Sequence, residues 1–201
     1  MAKLNSAFYE RADVLKIAQQ LLGKLLVTEI GGVRTSGRIV ETEAYAGATD
    51  RASHAWNNRR TRRTETMYAA GGLAYVYLCY GIHHLFNVVT NQRDIPHAVL
   101  VRGLEPVDGI GTMLWRCGKQ RLDTTLTAGP GSLSKALGIT TALTGESLSG
   151  DVLWIEDAPV LPRSQIVSGT RVGVAYARED AYLPYRFSVK GNKWVSKGKG
   201  L

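Results

Sequence analysis

Two acidic side chains stand two positions apart in the run Val40-Glu41-Thr42-Glu43-Ala44-Tyr45. On an extended strand, residues i and i+2 face the same way, about 7 Å apart. At a solvated edge such a pair does nothing. Lining a pocket, the two repel each other, and partial burial leaves one of them poised to take up a proton. Downstream, Tyr75 and Tyr77 repeat the same-face spacing, and Tyr80 stands beside Gly81. Tyrosines in strands usually belong to a core, with the hydroxyl bonded to a neighbour. A large aromatic at a glycine-flanked tip is a different object: it can enter a stack of bases and hold the space left by an extruded nucleotide. Arg102 closes the apolar segment Ala98-Val99-Leu100-Val101. It either emerges into solvent or orients a carboxylate or a phosphate in a cleft.

The remaining reactive residue types offer less. His54, His83, His84 and His97 form neither a His-Glu-x-x-His motif nor a cluster with cysteine, so no metal site is expected. A metallohydrolase built on His54 and the two glutamates is the corresponding third class, and a chelator would abolish its activity. Cys79 and Cys117 lack paired spacing and read as two reduced, partly buried thiols. Gly129-Pro130-Gly131-Ser132 precedes a short helix. The first amides of that helix suit a phosphate, although such a turn is also a common structural cap.

Charge narrows the partner. The 201 residues carry a formal net charge of +8, with 44% hydrophobic and 21% charged residues, the balance of a globular protein with a polyanionic partner. Arg59, Arg60, Arg62 and Arg63 cluster around Thr61 and Thr64, whose hydroxyls also bond phosphate oxygens. Lys190, Lys193, Lys197 and Lys199, spaced by glycines, form a second basic stretch or a solvated terminus. No apolar run approaches the ~18 residues of a membrane span. Met-Ala-Lys-Leu-Asn-Ser lacks the layout of a signal peptide, so the chain reads as cytoplasmic.

The elements that must position these residues follow from periodicity. Val14, Ile17, Ala18, Leu21 and Leu22 make a helical stripe, capped by Asp13 and ended by Gly23. Leu25 to Thr28 and Arg38 to Tyr45 read as strands around a Gly31-Gly32 turn, and Leu73 to Tyr80 and Ile82 to Thr90 as strands meeting at Gly81. His97 to Arg102 is a further strand, and Glu105 to Arg116 a helix with Pro106 in its first turn. Ser132 to Leu137 is a short helix. Val152 to Glu156, Arg171 to Ala177 and Phe187 to Lys190 supply late strands. Ala46 to Gly72 is a long loop with at most a helical turn, a length that usually signals function or disorder. Strands dominate without alternating regularly with helices. The expected fold is therefore α+β, a single mixed domain over residues 1–201 with a curved, mostly antiparallel sheet flanked by helices.

The order of motifs resembles one family. Ile39 to Tyr45, Ser53-His54, Tyr75-Val76-Tyr77, Tyr80-Gly81 and Asn87 come first. Leu100-Val101-Arg102, Glu105-Pro106, Gly129-Pro130-Gly131, Arg171-Val172-Gly173 and Trp194-Val195-Ser196 follow. Together they resemble the alkyladenine DNA glycosylases, the 3-methyladenine glycosylases outside the helix-hairpin-helix class, along nearly the whole chain.

The resemblance implies a monofunctional base-excision glycosylase without metal or cofactor. It would flip alkylated or deaminated purines from duplex DNA and hydrolyse their bond to the sugar, leaving an abasic site. Glu43 matches the base that activates water, and Arg102 the arginine beside it. Tyr45, His54 and Tyr77 match the base pocket, and Asn87 the residue that screens the purine 2-position. Tyr80 matches the intercalating wedge, while Arg59, Arg63, Gly131 and Ser132 fall near the DNA backbone. The implied partner is double-stranded DNA containing damaged purines, bound by a monomer with no obligate protein partner and no membrane. The sequence departs from the family at Ser132, where lysine is common and Lys135 stands nearby, and at Ile82-His83-His84, where methionine and tyrosine are usual. A non-catalytic nucleic-acid-binding module is the alternative, with steep salt dependence and little lesion preference.

Overall fold

Alternation along four strands sorts the molecule into two faces. In β2 (Val33–Tyr45), β3 (Ala74–Cys79), β4 (His83–Thr90) and β5 (His97–Asp108), one set of positions supplies Val40, Ala44, Val76, Phe86, Val88, Val99 and Val101 to the main core. The alternate set carries Glu43, Tyr45, Tyr75, Tyr77, Asn87, Leu100 and Arg102 to the other side. The computed structural model describes residues 2–200. Met1 and Leu201, the ends of the domain expected over residues 1–201, lie outside the described residues.

Among the described residues, eight strands make one antiparallel sheet. The order is β3-β4-β5-β2, then β1 (Leu25–Ile30) and β6 (Leu153–Glu156). β2 exchanges partners along one edge: residues 33–38 pair with β1, while Glu41, Thr42 and Glu43 pair with β8 (Arg186–Val189), itself paired with β7 (Ile166–Gly169). Register shifts against β5 fall on both sides of Glu41, where the exchange takes place. Such bulges bend a strand and re-aim its side chains, and here they curve the sheet around the two glutamates.

Helices cover the core face. α1 (Ser6–Tyr9) leads to α2 (Val14–Leu21), which is capped by the Asp13 side chain on the Lys16 amide at 2.9 Å and buries Val14, Ile17, Ala18 and Leu21. Each larger member of that stripe contributes roughly 1.5–3 kcal/mol by leaving water. α3 (Ile110–Cys117) packs on α4 (Pro130–Leu137), and Gly138, at φ 73°, ends α4. No described helix is long and apolar enough to cross a membrane. The α+β class with its curved antiparallel sheet stands.

Two elements differ from expectation. Glu105 to Asp108 is not the first turn of a helix but the end of β5, with Glu105 opposite Arg38 and Pro106 opposite Gly37 at a register shift. Proline lacks the amide that a regular ladder needs and is tolerated at such an irregularity. The helix starts only after Gly109, whose φ of 70° and close approach to Arg34 O would admit no side chain. Arg171 to Ala177 is not a strand either. The Val172 amide donates to a carboxylate instead of a neighbouring strand, Gly173 turns at φ 74°, and a 3-10 segment spans Ala175–Tyr182. The loop after β2 holds short 3-10 turns at Gly47–Thr49, Trp56–Asn58 and Glu65–Tyr68, as a segment without periodicity should. β7 and α1 have no counterpart in the sequence pattern.

Candidate active site

The non-core face of the sheet is roofed by the loop after β2 and by residues 172–176, leaving a cavity of about 640 Å³. That lies within the roughly 300–1,000 Å³ of small-molecule pockets. Tyr45, His54, Tyr75, Tyr77 and Tyr176 give it aromatic walls. Ala55, Met67 and Tyr68 of the loop pack against Tyr75 of β3, Val89 of β4 and Ala98 of β5, which fixes the roof to the sheet.

Buried charge forms the floor. Glu41 and Glu43 are both fully buried. Arg102 sits between them, with Nε donating to Glu41 Oε1 at 3.1 Å and Nη1 to Glu43 Oε2 at 3.3 Å. Glu43 also accepts from the Tyr45 hydroxyl at 2.8 Å and from the Val172 amide at 2.7 Å. All three partners are donors, and none of them could accept a proton from the carboxyl. Burial works against the Arg102 charge, but Glu43 and Glu41 outweigh it and raise its pKa above the ordinary value. Burial, and then the Glu43 charge, pushes the Tyr45 phenol well above its usual range, so it stays protonated and donating.

A second buried pair steadies Tyr45. Arg171 and Asp50 meet in a two-pronged ion pair at 2.5 and 2.9 Å, and Arg171 Nη1 also donates to Ala44 O at 3.0 Å. The Arg171 guanidinium lies over the Tyr45 ring, 4.9 Å from its centre. Asp50 in turn accepts from the amides of Ala46 and Ala52, which ties down the start of the loop.

His54 contacts Tyr75 and Tyr77 across the cavity. Its Nδ1 lies 2.9 Å from the Tyr75 hydroxyl, and its ring meets Tyr77 edge-on with centroids 4.6 Å apart. Burial, with Arg63 and Arg59 nearby, pushes the imidazole down to about 4, so it is neutral at neutral pH. Asn87 is held by its own amide, which donates to Tyr75 O and Leu85 O at 3.1 and 3.2 Å.

The rim is open. Tyr80 is 89% exposed at the β3–β4 tip with φ 51°, a backbone region costly for a non-glycine residue, and Ile82 beside it is 72% exposed. Gly131, at the start of α4, faces the same hairpin so closely that an added Cβ would lie 2.9 Å from the His83 ring. Gly131 and Ser132 line the cavity, and no side chain caps the helix there.

Most residues singled out in the sequence converge here: Tyr45, His54, Tyr77, Asn87, Arg102, Tyr80, Gly131 and Ser132 line the cavity, and Glu43 lies immediately beneath Tyr45 and Arg102. Arg63 is nearer the pocket than its assignment to the backbone suggests, with its guanidinium 5.2 Å from the Tyr77 ring centre. Arg59 is exposed at the edge of the loop. Arg60, in the same cluster, is committed to Glu65 and Asp94. Tyr176, Val172, Asp50 and Arg171 are the contributors that motif reasoning did not place in the site. Arg171 and Val172 carry a sequence signal in the Arg171-Val172-Gly173 run, whereas Asp50 and Tyr176 carry none.

Comparisons with known proteins identify the family. A profile of the methylpurine-DNA glycosylase family matches residues 7–193. A curated relative from Bacillus cytotoxicus, named "Putative 3-methyladenine DNA glycosylase", is 47% identical over 199 residues, or 94% of this chain and 97% of its own. One of the same name from Bacillus cereus is 46% identical over 200 residues, or 95% of this chain and 97% of its own. The chain belongs to the methylpurine-DNA glycosylase family and is a DNA glycosylase, a DNA-binding hydrolase of base excision repair.

Proposed function

We propose that the enzyme draws an alkylated or deaminated purine out of duplex DNA into the aromatic cavity and cleaves its N-glycosidic bond with water activated by Glu43. The observation that supports this most directly is the placement of Glu43. Its carboxylate is fully buried, surrounded by donors, and lies beneath the cavity-lining residues Tyr45, Arg102 and Val172, each of which donates to it.

Each step follows from residue chemistry. Alkylation at N3 or N7 puts positive charge on the purine, so the leaving group is already activated. The faces of Tyr45 and Tyr77 attract such a cation by about 0.5–2 kcal/mol per stack, and neutral His54 adds no opposing charge. Asn87, immobilised by two carbonyls, presents a fixed edge that rejects purines carrying the wrong group at the 2-position. In the free enzyme the Tyr45 hydroxyl covers Glu43 Oε2. A base seated on the Tyr45 ring draws that hydroxyl aside and leaves the oxygen to a water, which Glu43 deprotonates as it attacks the anomeric carbon. The same carboxylate stabilises the oxocarbenium character of the sugar. Tyr80 occupies the vacated space in the duplex, while Arg59, Arg63 and the amides of Gly131 and Ser132 meet phosphates. The substrates are 3-methyladenine, 7-methylguanine and hypoxanthine in duplex DNA, released by a monomer without a cofactor.

The test is release of free base from duplexes carrying each of these three lesions. Glu43→Gln is expected to lower single-turnover release by about 10³-fold, within the range of general-base contributions, while lesion binding is kept. Release by Glu43→Gln at the wild-type rate overturns the assignment of the base.

A further inference from the structure

Two carboxylates share the face of β2, and their surroundings divide them sharply. Glu43 accepts three hydrogen bonds, one from a tyrosine in the cavity wall. Glu41 accepts four: Arg102 Nε at 3.1 Å, Arg186 Nε at 2.7 Å, the Ser196 amide at 2.7 Å and the Ser196 hydroxyl at 3.0 Å. Glu41 is thus the more heavily engaged, with three donors on Oε1 and the Ser196 amide on Oε2, against two donors on Oε2 and one on Oε1 of Glu43. Three of the four donors to Glu41 come from β8 and the segment that follows it.

That segment is laid tightly over the floor. Trp194, 5% exposed, anchors it in the main core. The Trp194 carbonyl lies where a Cβ on Gly103 would come within 2.7 Å, so the strand beneath must be glycine. Arg186 holds the backbone from below, donating to Ser196 O at 3.3 Å and Gly198 O at 2.8 Å. Ser196 Oγ accepts from Arg102 Nη2 at 3.4 Å, and a Cβ on Gly198 would stand 3.3 Å from that nitrogen and 3.0 Å from Val172 Cγ1. The guanidinium is thus clasped on the side away from Glu43. Residues 194–198 lie beyond the stretch matched by the family profile.

We propose that residues 194–198 are a strap that positions the active site, with Ser196 and Glu41 as positioning residues that fix Arg102, and through it Glu43, for the glycosylase reaction. The proposal rests on Glu43 being the base. Glu41 exchanges no proton in it. Its charge holds Arg102 back, so that the Arg102–Glu43 contact stays long and Glu43 Oε2 can pass to a water once the Tyr45 hydroxyl moves aside. Without that hold, Arg102 closes on Glu43 and turns a base into a static ion pair. The groups facing Glu43 are Arg102 of β5, Tyr45 of β2 and the Val172 amide, with Arg171 and Tyr77 farther off. Those facing Glu41 are Arg102, Arg186 of β8 and Ser196.

Full-length Glu41→Gln, Ser196→Ala and Ser196→Thr are compared with wild type on a 3-methyladenine or hypoxanthine duplex. Lesion affinity, melting temperature and the pH profile of single-turnover release are read together. Glu41→Gln is expected to cut release by about 100-fold and Ser196→Ala by about 10-fold, with affinity within about threefold of wild type, the pattern of lost orientation. Ser196→Thr keeps the hydroxyl and restores the rate. The acid limb of the Glu41→Gln profile moves to lower pH, because Arg102 is left wholly to Glu43. Ser196→Ala tests the strap even if Glu41→Gln folds poorly, since the amide bond to Glu41 remains. Wild-type rates in both Ser196→Ala and Glu41→Gln, or losses that only track folded fraction or bound DNA with no shift in the profile, overturn the strap. They leave the Glu43 assignment intact if Glu43→Gln is inactive. A fully active Glu43→Gln overturns the base itself.

Discussion

The floor of the cavity and its rim treat charge in opposite ways. Below the cavity, the buried carboxylates Glu41, Glu43 and Asp50 are matched by the guanidiniums of Arg102, Arg186 and Arg171. At the rim, Arg59, Arg62 and Arg63 are exposed, and the large apolar side chains Tyr80 and Ile82 project into solvent. Desolvated charges must be paired or their cost falls on folding. Exposed cations cost little and remain available to a polyanion. The exposed rim arginines contribute to the net charge of +8, while the charges beneath the cavity nearly cancel.

If this division is correct, removing one partner of a floor pair damages the fold, whereas removing a rim group damages binding alone. The largest effect is expected for Asp50→Ala, which strands Arg171 in a site where both residues are almost fully buried. Loss of about 3–5 kcal/mol of stability is expected, read from denaturant midpoints. A change under about 1 kcal/mol would mean that the pair is dispensable, and would erase the distinction.

Tyr80→Ala sharpens the comparison from the other side. With the side chain 89% exposed, stability should stay within about 0.5 kcal/mol. Affinity for a paired lesion duplex should fall about 10-fold by titration, and least for mismatched lesions whose base is already poorly held. Equal loss on single strands would make Tyr80 structural.

An effect that emerges only in acid concerns His54, which stands between the two regions. Its folded pKa of about 4 lies below the ordinary 6.5. As pH falls below about 6.5 the unfolded chain binds a proton that the folded chain refuses until near 4, so stability drains away across that window and is unaffected above it. His54→Gln lacks this liability, so its melting temperature should fall less than that of wild type between about pH 7 and pH 4.5. Parallel declines would show that His54 titrates freely in the folded protein.

What could be read without coordinates was whatever repeats locally. Glu41, Glu43 and Tyr45 share a face because strand geometry requires it, and Tyr80 stands at a tip because Gly81 follows it. The α2 stripe and its Asp13 cap are equally local. Contacts across the chain left no such trace: Asp50 finds Arg171 121 positions away, and Glu41 finds Ser196 155 positions away. The helix expected from Glu105 followed a general preference of proline for first turns, which the pairing of Pro106 with Gly37 overrode. The strand expected at Arg171 had the right residue types, but Val172 gives its amide to Glu43.

The contact between Gly131 and His83 leaves no room for even a methyl group. The hairpin tip and the start of α4 therefore pack directly against each other. With Tyr80 in the stack and the Gly131 and Ser132 amides on the backbone, as proposed above, this packing fixes the gap between them, so bending and unstacking fall to the duplex. Damaged, weakly stacked steps yield to such a gauge more readily than sound ones. A fixed spacing in the enzyme can thus begin to discriminate before any base has reached the cavity.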